Sequence, residues 1–353
     1  MQEEIIGNPD LSYLTPRCKN RHADCAFWAE SGECDVNPNY MLTNCAPVCN
    51  TCHLLDLKTR CPIPPDAVDA LKPGDLNRLF ERALELDGTS LRGSFNDTIG
   101  VDAATDKNAD EDTDADDETN SEGESKLVVK VLSRPSPAPG DEGKKDLDYK
   151  LGPWVITIDN FVQDVECKRL IKMGGVEGYK RSEDVGKELF DGTYDSVQSS
   201  SRTSHNAWCQ YDCYEDPHAQ NVMKRIELLT GIPEKNSENL QLLKYEVGQF
   251  YKTHHDYIDN QEEFPAGPRL LTAFLYLSDV EAGGGTDFPG LGITVLPKKG
   301  RLLLWPSVKD RDPVAVDRRT SHQALPVEKG VKYAANGWIH LRDFKTPNNN
   351  GCT

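Results

Sequence analysis

The stretch 251–257, Tyr-Lys-Thr-His-His-Asp-Tyr, together with His322 and Lys332, holds the residue types that bind a transition metal and an acidic cosubstrate. On a strand, side chains alternate between faces, so His254 and Asp256 point one way and His255 the other. Adding His322 gives two imidazoles and one carboxylate, the ligand set that leaves positions open on Fe(II) for a chelating cosubstrate and O2. Lys332, ten residues further on, suits a charge-assisted bond to the distal carboxylate of 2-oxoglutarate, whose other end chelates the metal. Each residue alone has an ordinary explanation: His254 as a half-buried strand histidine, Lys332 as a surface lysine on an edge strand. The four-part combination is what argues for a site.

These residues need a rigid frame. Short apolar runs at 240–246, 249–256, 270–277, 293–296, 301–305, 324–327 and 333–340, separated by Gly/Pro turns, predict a double-sheet jelly roll. Upstream, 154–158 alternates like a strand, while 165–173 reads as a helix with Cys167 as a buried thiol. A second helix is expected over 219–229. The fold class is mostly β with flanking helices (α+β), a double-stranded β-helix core over 150–345 joined to a small disulfide-rich module.

That module is the other feature with chemical content. Six of the eleven cysteines, Cys18, Cys25, Cys34, Cys45, Cys49 and Cys52, fall within 18–52, a density expected of a disulfide framework made in an oxidising compartment. Cys49 and Cys52 have the spacing of half a zinc site, but no second close pair accompanies them. Spacing leaves all fifteen pairings of six cysteines open. Cys209 and Cys213 are four apart, with a local disulfide and two separate fates both open. An endoplasmic-reticulum or secretory location follows. Residues 1–8 hold no hydrophobic signal core, so a leader or membrane anchor is expected to be missing from the start of this chain.

Between the two units, 61–98 reads as a helical connector in which Asp75 caps an amphipathic helix through residues 76–84. Asn96-Asp-Thr98 is a glycosylation sequon. The formal charge of -18 is concentrated in 101–125, where eleven Asp or Glu face one Lys. Such a composition holds too few apolar residues to offset ordering entropy, so 99–147 is expected to be an acidic disordered linker or insertion with a strand at 126–132. No basic footprint for nucleic acid is present, and no apolar run approaches the ~20 residues of a membrane span.

Two resemblances extend this reading. Cys18, Asp24-Cys25, Trp28, Gly32, Cys34, Asn37, Met41, Cys45, Cys49 and Cys52 resemble the sea-anemone potassium-channel-toxin-like (ShKT) module. It implies the pairs Cys18 with Cys52, Cys25 with Cys45, and Cys34 with Cys49, and an appended recognition module whose partner is unknown. From Trp154 to His340 the chain resembles the 2-oxoglutarate-dependent prolyl 4-hydroxylases of plant and algal type. The matching text includes Ser201-Arg-Thr-Ser204, Leu243-Lys-Tyr-Glu-Val-Gly-Gln249-Phe-Tyr251, His254-x-Asp256, Arg269-Leu-Leu-Thr272 and Tyr276-Leu-Ser-Asp-Val-Glu-Ala-Gly-Gly284.

The second resemblance implies His254, Asp256 and His322 as iron ligands, with Lys332 anchoring 2-oxoglutarate. It implies Tyr245, Thr286 and Trp338 around the cosubstrate, and Arg269 and His340 facing a proline-rich peptide. The implied reaction is hydroxylation of peptidyl proline at C4, coupled to conversion of 2-oxoglutarate and O2 to succinate and CO2, with ascorbate sustaining turnover. Position 255 departs from the family's usual aromatic, and a bulged strand would let His255 compete as a ligand. The competing expectations are a 2-oxoglutarate oxygenase acting on another peptidyl or small-molecule substrate, and a non-catalytic binding protein working through the ShKT module.

Overall fold

The computed structural model describes residues 9–95 and 125–352. Two sheets face each other. The larger has nine strands in the order Lys150–Leu151, Val128–Arg134, Val155–Asp159, Leu302–Pro306, Arg269–Tyr276, Lys332–His340, Gln241–Tyr245, His205–Trp208 and Lys180–Arg181. The smaller runs Ile293–Val295, Thr286–Phe288, His322–Ala324, Tyr251–His254. Their facing sides interdigitate through Val155, Leu243, Tyr245, Phe274, Phe288, Val295, Leu303 and Trp305. This is the jelly roll that the spacing of short apolar runs predicts, with the inner face of each strand supplied by every second residue.

Helices cover the outer face of the large sheet. Asp164–Glu177 opens with a capping box in which Gln163 and Glu166 satisfy each other's backbone ends. Pro217–Thr230 starts on the Asp216 cap and stops at Gly231, whose φ of 71° a side chain would resist. Glu166 on the first helix and Arg225 on the second form a buried two-point ion pair at 2.7 and 3.0 Å, which sets one helix against the other.

Several expectations are corrected. The segment expected to be a connector is part of the main core: Leu76, Leu79, Phe80 and Ala83 of the helix Asp75–Leu84 pack with Ile156, Ile158 and Leu229. Phe80 stacks on Trp154 at 5.3 Å. Gly74, not Asp75, caps that helix, because the Asp75 carboxylate turns back to accept the Lys72 N–H at 2.7 Å. The strand expected at 126–132 occurs at Val128–Arg134 and is hydrogen-bonded to Val155–Asp159, so it belongs to the large sheet and not to a linker. The acidic run over 99–124 and the Asn96 sequon lie outside the described residues.

Five disulfides occur among the described residues. Three are Cys18–Cys52, Cys25–Cys45 and Cys34–Cys49 within the N-terminal module. Cys209–Cys213 closes a local loop, and Cys61–Cys352 ties the segment that follows the module to the C-terminal segment. Cys167 is a buried free thiol, its pKa pushed up to about 12 by desolvation.

Candidate active site

The smaller sheet brings the metal-binding residue types together. His254 ends its strand and lies opposite His322, the first residue of its own. The strand expected over 249–256 is shorter, and Asp256 sits in the bend just beyond it. Ligand atoms of His254, Asp256 and His322 all lie within 4.8 Å of one another. His254 Nδ1 meets the Lys252 carbonyl at 2.9 Å and His322 Nδ1 meets the Thr320 carbonyl at 3.0 Å. A carbonyl only accepts, so both Nδ1 atoms carry a proton, and in the neutral ring this leaves the Nε2 lone pair for a metal. Those Nε2 atoms approach the two Asp256 oxygens at 3.8 and 3.6 Å.

The surroundings keep the ligands in their binding forms. Burial, then the neighbouring His322, pushes the His254 pKa below its ordinary value and holds the ring neutral. Burial opposes ionisation of Asp256, but His322, His254 and the Thr272 hydroxyl, 2.6 Å from Oδ2, outweigh it and hold the carboxyl below the usual range. Tyr251 stacks on His254 at 3.6 Å, and Trp305 meets the edge of His322 at 4.7 Å. Two imidazoles and one carboxylate, each oriented by a further hydrogen bond, fit a divalent transition ion such as Fe(II).

His255 takes no part. Its Nε2 donates toward Asp317 O and Thr320 Oγ1, and its Nδ1 accepts the Tyr257 N–H. The strand pairing is irregular between His322 and Ala324, yet both nitrogens of His255 are used away from the cluster.

Lys332 is fully buried in a central strand of the large sheet, which removes the surface-lysine explanation. Its Nζ donates to Gly284 O at 2.8 Å and lies 5.1–5.4 Å from the Phe274, Tyr245 and Tyr276 rings. Among the described residues no carboxylate pairs with it, and desolvation alone pushes its pKa down to about 7. An unpaired buried ammonium is costly unless an anion completes it. Tyr245 lies opposite Lys332 in register, and the Tyr276 hydroxyl donates to Thr286 Oγ1 at 2.7 Å. Trp338 faces the same interior, and its buried Nε1 has no protein partner. An unpaired cation and an unsatisfied donor fit the carboxylates of 2-oxoglutarate.

Arg269 lies 3.9 Å over the Trp338 ring and pairs with Glu238 at 2.6 Å. His340, expected to face a peptide, is instead 1% exposed. Its Nδ1 meets Gly267 O and its Nε2 meets Glu238. With both nitrogens engaged it supports Glu238, which in turn holds Arg269. Glu238 stays ionised despite burial, drawn down to about 2 by Arg269 and His340. Sequence reasoning missed Glu238, Thr272, Tyr276 and the buried Arg202, which donates to Gln241 at 2.6 Å. Thr272, Tyr276 and Arg202 lay inside recognised motifs, but Glu238 gave no signal of its own.

Residues 240–340 match the 2OG-Fe(II) oxygenase superfamily, and residues 17–52 match the ShK domain-like family. A probable prolyl 4-hydroxylase 8 from Arabidopsis thaliana is 31% identical over 241 residues, spanning 62% of this chain and 80% of that protein. The chain belongs to the prolyl 4-hydroxylase family. As a prolyl 4-hydroxylase family member it is a 2-oxoglutarate-dependent dioxygenase. Prolyl 4-hydroxylase subunit alpha-1 of Rattus norvegicus is 38% identical over 153 residues, 41% of this chain and 28% of that one. The crystal structure of the viral collagen prolyl hydroxylase from Paramecium Bursaria Chlorella virus-1 is 29% identical, covering 54% of this chain and 96% of that chain with a TM-score of 0.42.

Proposed function

We propose that this enzyme hydroxylates peptidyl proline at C4 in proteins of the secretory pathway, converting 2-oxoglutarate and O2 to succinate and CO2 with Fe(II), and with ascorbate sustaining turnover. The observation that carries the reading is the His254–Asp256–His322 cluster together with the buried Lys332 of the same interior, which has no carboxylate partner among the described residues. His254, Asp256 and His322 would hold the iron, which when bound supplies the oxidising chemistry. Lys332 would grip the distal carboxylate of 2-oxoglutarate, with Tyr245, Thr286 and Trp338 lining the cosubstrate. The aromatic walls formed by Tyr245, Phe274, Tyr276 and Trp305 exclude water and strengthen each charge interaction within. Arg269, held by Glu238, would meet the peptide. Five disulfides support an oxidising compartment.

Succinate release from 2-oxoglutarate with Fe(II), ascorbate and a proline-rich peptide tests this reading. Since losing an outer-shell partner alone costs roughly 10–100-fold, His254→Ala, Asp256→Ala and Lys332→Ala should each lower turnover at least about 100-fold. Full activity in these variants, or turnover indifferent to the peptide, would sink the assignment.

A further inference from the structure

The six-cysteine module is not simply tethered to the enzyme; it grips the hairpin formed by Glu183–Glu188 and Tyr194–Gln198. Phe190, in the turn of that hairpin, packs on the module's core of Leu14, Ala46, Cys52 and Leu55. The Arg21 guanidinium lies 4.0 Å over the Phe190 ring. Arg17 pairs with Glu188 at 2.8 Å, and Arg60 links Leu54 O to Asp191 O at 2.7 and 3.0 Å. At Gly192, whose φ is +81°, an added Cβ would come within 3.2 Å of Leu57 Cβ.

The hairpin needs such an anchor. Its returning strand is exposed at every position, and the apolar side chains of Leu189, Tyr194 and Val197 are exposed to solvent. A two-stranded hairpin with no packed face is marginal in water. Its other end leads to the metal-binding cluster. Ser201 bonds Asp184 at the hairpin's base, and Arg202 bridges to Tyr251. The Arg202 guanidinium lies 5.0 Å over the Tyr251 ring, and Tyr251 stacks on His254. Module, hairpin and candidate active site are therefore continuous through named contacts.

We propose that the module works in cis, anchoring the 183–198 hairpin so that its exposed apolar side chains are held for the incoming peptide while buried Arg202 stays seated on Tyr251, with Phe190 and the Arg17–Glu188 pair as positioning residues. This rests on the peptidyl-substrate reading above. It gives the module a task inside the enzyme, where the sequence alone suggests recognition of an outside partner.

The test uses the full chain, comparing wild type with Phe190→Ala, Glu188→Arg and the charge-reversed pair Arg17→Glu/Glu188→Arg. None of these residues touches the metal-binding cluster. Hydrogen exchange over 183–198 should speed up about tenfold in Phe190→Ala and about two- to fivefold in Glu188→Arg. Peptide KM should rise in parallel, while kcat and the 2-oxoglutarate KM stay within about twofold. Reversing both charges should return exchange and peptide KM toward wild type, which a general loss of stability would not do. Should Phe190→Ala fold poorly, the exposed charge pair still decides the matter. Unchanged exchange in the single variants, or faster exchange with an unchanged peptide KM, would overturn the proposal. A wild type that hydroxylates no peptide would count against the functional reading, while the exchange result would still decide the anchoring.

Discussion

At the scale of single residues, the site is defined by where protons sit. His254 and His322 spend their Nδ1 protons on the Lys252 and Thr320 carbonyls, which leaves two Nε2 lone pairs beside Asp256. Thr272 fixes the carboxylate, so Thr272→Val should weaken Fe(II) binding about 10–100-fold in a metal titration. His255→Phe should leave that affinity within about threefold, because His255 directs both nitrogens elsewhere.

Lys332 sets a pH dependence. Its pKa in the folded protein without cosubstrate is about 7, against an ordinary 10.5, so the side chain is charged below about pH 7 and neutral above it. A bound carboxylate favours the charged form. Affinity for 2-oxoglutarate should therefore be full below about pH 7 and weaken by up to about tenfold per unit as pH rises beyond it. Calorimetry with a redox-inert divalent metal in place of iron reads this directly, and Lys332→Met should abolish the slope. Removing the buried, unpaired amine should also raise the unliganded protein's stability, on the order of 1–3 kcal/mol, seen as a higher thermal midpoint.

At the scale of elements, each half of the site rides on a different sheet. The small sheet presents His254 and His322 across one strand pair, and the large sheet presents Thr272, Lys332 and Trp338 from its middle strands. Arg269 and His340 face each other in register, with Glu238 joining them. Glu238→Gln should loosen Arg269 and raise peptide KM more than the 2-oxoglutarate KM, by about tenfold, in steady-state assays.

The strands with dense apolar runs, such as Arg269–Tyr276 and Lys332–His340, were legible in the sequence because burial on both faces leaves a local signature. The pairing of His254 with Asp256 was legible from the His-x-Asp spacing, although the strand stops at His254 and a bend, not strand alternation, places Asp256, and that of His322 with Lys332 was legible from motif resemblance. Glu238 was not, since its role depends on contacts with residues 31 and 102 positions away. The exposed hairpin over 183–198 carries little apolar pattern, and only its docking partner explains it.

For the whole molecule, covalent links join parts that the sequence reads as separate. Cys61–Cys352 spans 291 residues and holds the segment after the module to the C-terminus. Sequence spacing does not encode such a pairing, so the partners became legible only in the fold. Opening so long a loop in Cys61→Ser/Cys352→Ser should cost about 3–5 kcal/mol, read as a lower thermal midpoint with turnover retained at moderate temperature. The helix Asp75–Leu84 likewise completes the enzyme's core through Phe80 and Trp154, so its apolar face is part of the oxygenase scaffold.

The most direct test of the central claim is mass spectrometry of a proline-containing peptide after incubation with the protein, Fe(II), 2-oxoglutarate and O2. The cluster of His254, Asp256 and His322 beside Lys332 predicts one oxygen atom added to a proline residue for each succinate formed, with neither product in the Lys332→Ala variant. Succinate without peptide oxidation, or oxygen placed on another residue type, would contradict it.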